Sequence, residues 1–431
     1  MPASPLVDCT DTEKKQNQKN MNQKIKLLHT SDWHLGKRLD DFSRMEEQKA
    51  VLHEICEIAE RENADAVLLS GDLLDTFNPP TEAVDLFYKT LKRLSNNGSR
   101  PVIAIAGNHD SPDRIEAPDP LARECGIIFA GYPNSQVTPF KLESGLKVLQ
   151  SGEGFLELQL PGAKIPLRIL ITPYANEFRL RMYLGMENSE EEMRTVLQKK
   201  WQNLAEKYCD EKGVNVLITH LFMVKKGDKL PEEPEDEKPI LHVGGAQVIY
   251  TENIPKQIQF TALGHLHRMH QVGTEPCPVY YSGSPLSYSF AEANQKKYVL
   301  MIDAEPGETA GVREIELTSG KKLLRKRAEG LEDALQWLAD NKDALVELTL
   351  VTETFLTALE RRQINAAHTG IVAIIPEVKN AANLTGSRQK QIDLSRSMEE
   401  LFRDYFKHEK GQEPGEELMN LFTEILAEDE L

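Results

Sequence analysis

Residues 24–36 read KIKLLHTSDWHLG and residues 102–110 read VIAIAGNHD. Each is a short apolar run, rich in branched side chains, that stops at a polar cluster. The form recurs at 66–75 (AVLLSGDLLD), 214–220 (VNVLITH) and 259–267 (QFTALGHLH). Four to six apolar residues are too few for a buried helix and fit a strand covered on both faces. Between these runs lie amphipathic stretches, with helices expected at 44–62, 81–96 and 190–212. Further strands are expected at 25–30, 127–131, 168–172, 279–282 and 298–303. Strands alternating with helices predict a layered α/β core.

Working outward, residues 24–305 read as this core domain. Residues 312–378 read as a small α+β capping domain, with strands at 313–317, 346–351 and 370–376 and helices at 331–340 and 354–363. Polar residues 379–396 read as a linker. In 397–431, Met398, Leu401, Phe402, Tyr405 and Phe406 fall on one helical face, and Leu418, Leu421, Phe422, Ile425 and Leu426 repeat the spacing after a Gly/Pro break. That is a helix-loop-helix, suited either to pack on its own domain or to dock a partner helix; the charged linker favours the partner. Residues 1–23 are polar, lack the apolar stretch of a signal peptide, and read as a disordered tail or as sequence upstream of a start at Met21.

Across 431 residues the composition is that of a globular protein, 40% hydrophobic and 28% charged, with no apolar run long enough to span a bilayer. The five cysteines are odd in number and without CxxC spacing, which argues against a disulfide framework or a thiolate zinc site and is compatible with a reducing cytoplasm. A net charge of -17 opposes simple binding to a phosphate backbone. Much of the acid, however, sits in runs such as 231–238 (PEEPEDEK), and divalent cations would reverse the sign inside a metal site. Weak intrinsic DNA affinity, completed by a basic partner, fits that balance.

The chemistry gathers where the strands end, the place where open α/β sheets bind ligands. Asp32 and His34 follow the first strand, Asp72 the second, Asn108 and His109 the third; His220 ends the fourth, and His265 and His267 follow the fifth. Glycines 71, 107 and 264 let the backbone turn into a shared crevice. Oxygen and nitrogen donors without thiolate point to Mn²⁺, Fe²⁺ or Zn²⁺, with the oxygens tilting towards manganese. Seven donors, Asp32, His34, Asp72, Asn108, His220, His265 and His267, are too many for one ion and enough for two about 3.5–4 Å apart. Asp72 is the natural bridge, since one imidazole nitrogen cannot hold two metals. His109, beside Asn108, is the candidate catalytic residue, placed to protonate a leaving oxygen or stabilise its charge. The turn Gly283-Ser284-Pro285 either presents amides to a substrate or is only a turn.

The order DxH, GDxxD, GNHD, H, GHLH resembles the calcineurin-like metallophosphoesterase superfamily, which implies that the layered α/β core is a β-sandwich flanked by helices. The segments TSDWHLGK, SGDLLDTFNPP, AGNHDSPDR, ALGHLHRMHQV and YYSGSPLSYSFAE resemble, within it, the SbcD nuclease subunits of bacterial SbcCD complexes. The resemblance implies one ion on Asp32, His34, Asp72 and His267, a second on Asp72, Asn108, His220 and His265, and His109 acting on the leaving group. It implies two Mn²⁺ per chain, with exonuclease action on double-stranded DNA and endonuclease action on single strands or hairpins. It further implies a homodimer through the core domain, within residues 44–96, and an SMC-like ATPase partner bound by the C-terminal helices. Archaeal and eukaryotic members of the family often carry histidine where this chain has Asp75, and bacterial members commonly carry aspartate.

Overall fold

Alternation along the strand Ile25–Thr30 decides how the layers stack, because successive side chains of a strand point to opposite faces. Leu27 joins an apolar cluster with Leu68, Ile103 and Ile105, and with Leu156, Ile169, Val216 and Ile218 of a second sheet. Leu28 joins another, with Val67, Leu69 and the inner faces of helices Met45–Arg61 and Thr81–Leu94. The layers are thus helix, sheet, sheet, helix. Both faces of the central strands are dry, which is why they read as unbroken apolar runs. The computed structural model describes residues 24–180, 189–228, 248–353 and 356–379, with 401–403, 406, 414–415, 418–419 and 422 of the C-terminal segment.

The first sheet runs in the order Gly311–Leu317, Lys297–Ala304, Ile25–Thr30, Ala66–Ser70, Val102–Ile105, Ile127–Ala130. Its last four strands are mutually parallel. The second runs His270–Gly273, Val279–Tyr281, Phe260–Gly264, Val214–His220, Pro166–Thr172, Phe155–Gln159, Lys147–Gly152. Its four middle strands, from Val279–Tyr281 to Pro166–Thr172, are parallel. Helix Ser189–Tyr208 covers the outer face through Met193, Leu197, Trp201 and Ala205, four residues apart and packed with Leu170, Leu217 and Leu263. Parallel strands carry all their carboxyl ends to one edge, and that edge holds the polar clusters. The hairpin Lys147–Gly152 and Phe155–Gln159 is absent from the expected strands.

The boundary expected at 312 is corrected. Gly311–Leu317 pairs antiparallel with Lys297–Ala304, from Gly311↔Asp303 to Lys297↔Leu317, and therefore belongs to the core sheet. Its alternation would serve either domain; only the pairing decides. The capping sheet consists instead of Leu323–Glu329, Leu345–Thr352 and Ile371–Val378, with helices Leu331–Asp340 and Ala358–Ala367. The second helix starts later than expected because Thr357 caps it, with Glu360 returning to the Thr357 amide. Leu323, Leu345 and Val372 pack with Leu39 and Phe290 of the core.

The chain divides into two compact units, Met1–Leu350 with Thr357–Pro376, and Val351–Leu356 with Glu377–Leu431. Within the second, the rings of Phe402 and Phe422 stack at 4.0 Å and 9°. The expected 1–23 tail, nearly all of the 379–396 linker and most of 397–431 lie outside the described residues. No described helix is long and apolar enough to cross a membrane.

Candidate metal centre

Both sheets contribute to one crevice. Asp32, His34, Asp72, Asn108 and His109 leave the first sheet; His220, His265 and His267 come from the second. Two glycines make the approach feasible, through close contact rather than a turn. A Cβ on Gly107 would collide with the Asp72 carboxylate, and one on Gly264 with the Ser70 carbonyl. The backbone itself is strained. Asp32, His34, Asp72 and His265 have φ of 53°, 42°, 48° and 108°, a left-handed region that costs a side chain roughly 1–3 kcal/mol. Hydrogen bonds from Asp32 N to Gly71 O (2.9 Å) and from His34 N to Asp72 O (3.0 Å) tie the first two loops together.

The Asp72 carboxylate lies 3.5 Å from His34 Nε2 and 3.4 Å from His220 Nε2, and accepts from His109 N–H at 2.9 Å. Asn108 Oδ1 sits between His220 Nε2 (2.9 Å) and His265 Nδ1 (3.0 Å). His34 Nε2 and His267 Nε2 face each other at 3.0 Å. Ligand atoms of Asp32, His34 and His267, of Asp32, Asp72 and His220, and of His34, Asp72 and His109 lie within 4.8 Å of one another in each set. All the sequence-selected residues therefore meet in one place. His109 is closer to the donor set than its catalytic reading required.

Burial sets the charges. It pushes His34 and His265 down to about 3, which keeps their lone pairs free for a cation. It raises Asp32 to about 6, against the pull of His220 and His267. Burial would lower His220 as well, but the Asp72 carboxylate outweighs it and carries His220 up to about 9. Burial likewise opposes the Asp72 charge, and His220 overcomes it, holding that carboxyl well below the usual range. Two carboxylates, an amide oxygen and imidazoles crowded against one another suit divalent cations.

Several residues outside the selected donor set support it. His220 Nδ1 donates to Ser70 O at 2.8 Å, which orients the ring and aims Nε2 inward. His109 Nδ1 donates to Asp75 O at 2.9 Å, while the Asp75 carboxylate lies 3.4 Å from His34 Nδ1 and 3.5 Å from Lys37. Asp110 accepts from the amides of Leu73, Leu74 and Gly107, pinning the Asp72 loop to the Asn108 loop. Buried Arg179 closes the same loop from behind, donating to Gly107 O (2.8 Å) and Asp110 O (2.9 Å). The 283–285 turn is committed internally, since Ser284 N–H donates to His267 O at 3.1 Å.

A model of the calcineurin-like phosphoesterase family matches residues 25–269. The chain is 34% identical over 412 residues to the SbcD subunit of the SbcCD nuclease of Bacillus subtilis, covering 94% of this chain and 98% of that one. It is 30% identical to the SbcD protein of Rhodobacter capsulatus (71% and 72% covered) and 27% identical to that of Staphylococcus epidermidis (69% and 72%). The motifs found at the strand ends all fall within the matched region, so the chain belongs to the calcineurin-like phosphoesterase family, in its branch of SbcD nuclease subunits.

Proposed function

We propose that this chain is the DNA nuclease subunit of an SbcCD-type repair complex, cleaving phosphodiester bonds with two Mn²⁺ ions. The observation that carries the reading is the convergence of seven donors from five strand ends, with Asp72 among them. Asp32, His34, Asp72 and His267 would hold one ion, and Asp72, Asn108, His220 and His265 the other. When bound, such a pair neutralises the phosphate and activates the attacking water. The chain's own residues do the rest. Asp72 keeps the two halves of the donor set in register, and the strained loops hold the ligands in place before substrate arrives. His109, its Nδ1 proton engaged by the Asp75 carbonyl, turns its other ring nitrogen to the leaving oxygen and assists its departure.

Double-strand exonuclease action of 3′-to-5′ direction and endonuclease action on single strands and hairpins belong to the same reading, supported by membership of the SbcD branch. The acidic balance supports a complex in which an SMC-like ATPase, bound by the C-terminal helices, supplies much of the DNA affinity. We further assign a homodimer through the nuclease domain and a cytoplasmic setting without membrane attachment. Assaying the purified chain with Mn²⁺ on hairpin DNA and on a generic phosphomonoester tests the reading. Cleavage of the hairpin is expected; activity confined to the monoester would make the chain a phosphatase of the same family.

A further inference from the structure

Behind His267 lies a buried ion pair that the proposed chemistry does not use. Glu292 and Lys297 are 3% and 8% exposed, and the Lys297 ammonium contacts Glu292 Oε2 directly. Lys297 Nζ also donates to the backbone carbonyl of His267 and to Ser284 Oγ, both at 3.0 Å. The other carboxylate oxygen, Oε1, accepts from Tyr288 N–H at 3.0 Å and lies 3.4 Å from His267 Nδ1. One pair thus grips the backbone and the ring of the same histidine. A buried pair of this kind is weak evidence for stability, since apolar residues of similar size often serve as well. Its geometry has another use: a carboxylate behind an imidazole fixes which nitrogen faces forward.

We infer that Glu292 and Lys297 are positioning residues for the metal site, holding His267 so that Nε2, rather than Nδ1, is presented beside His34. The inference rests on the metal-site reading above and concerns one of its two ions. Glu292 orients the ring; Lys297 anchors the 267 carbonyl and locks Glu292 in turn. Neither touches the reacting atoms.

The test uses the full chain, stripped with chelator and titrated with Mn²⁺ alone by calorimetry, alongside thermal melting of the metal-free protein. Glu292→Gln removes the orienting charge, and Glu292→Gln with Lys297→Met removes the pair without stranding a buried cation. The expected result is that one of two binding steps weakens about 10–100-fold while the other is unchanged. Lys297→Arg is expected to retain both steps. Should Glu292→Gln fail to fold, the double variant decides. Folded variants that bind Mn²⁺ as wild type does, or that lose both steps equally, would overturn the positioning role. Failure of the wild-type chain to bind Mn²⁺ would instead remove the metal-site reading on which it rests.

Discussion

The Nε2 atoms of His34 and His267 lie 3.0 Å apart, although 233 residues separate them in the chain. One follows the first strand of one sheet and the other the strand Phe260–Gly264 of the second, so their meeting depends on how the two sheets are joined.

Asp72 is the residue shared by both halves of the donor set. Asp72→Asn is expected to abolish binding of at least one Mn²⁺ and to lower DNA cleavage by more than the roughly 10–100-fold that losing an outer partner costs. In wild type, Mn²⁺ at about a hundred times its dissociation constant should add about 2.7 kcal/mol per site, and the variant should lose much of that rise in melting temperature. Calorimetry and melting with and without metal check both.

For His109→Ser the expectation separates chemistry from binding. Cleavage should fall roughly 10²–10⁴-fold, the usual worth of a positioned acid, with Mn²⁺ stoichiometry intact. If metal is lost with activity, His109 is a ligand, as its closeness to His34 and Asp72 would allow.

Arg179→Ala leaves the carbonyls of Gly107 and Asp110 without their donor. With Arg179 only 5% exposed, this should cost about 1–3 kcal/mol in a denaturant melt. Because the freed loop carries Asn108 and His109, kcat should drop by more than KM changes.

Glu54 ties the turn between the core sheet and the cap, accepting from Thr318 N–H at 2.9 Å and Ser319 N–H at 2.8 Å. Burial raises its pKa, but these donors outweigh that and hold it below the ordinary 4.5. A depressed carboxyl stabilises the fold above its unfolded value, and the benefit is lost as pH falls through the lower folded value. Wild type should therefore exceed Glu54→Gln by roughly 1 kcal/mol at pH 7, with the gap closing below pH 4.5. Paired melts across pH check the sign.

Deleting the residues after Ser395 should spare Mn²⁺-dependent nicking yet abolish capture of the ATPase partner in a pull-down. A truncated chain that still captured the partner would place the docking surface elsewhere.

Much of the site was legible because its residues follow apolar runs directly. A single carboxylate or imidazole after AVLLSG or FTALG would pass for a turn; its recurrence at five strand ends in order marks a site. Glu292, Lys297 and Arg179 were not legible, since an isolated charged residue looks like surface until burial is known. Asp110 stood in a motif already noted, yet its task of gripping the Leu73 and Leu74 amides depends on a loop 36 residues away. The left-handed φ of Asp32, His34 and Asp72 was equally hidden, because no glycine marks those positions. The strand Gly311–Leu317 was assigned to the cap for a similar reason: alternation reveals a strand, and only its partner reveals the sheet.

The catalytic crevice straddles the seam between two sheets, with Asp32 Oδ1 accepting from the His265 amide across it at 2.9 Å. Sliding one sheet past the other by a single strand residue, about 3.3 Å, would pull apart at once every ligand pair that crosses the seam. The apolar filling between the sheets is therefore the gauge block of this enzyme. Repacking Leu27, Ile103 or Ile218 would mistune the chemistry from a distance, long before it unfolded the chain.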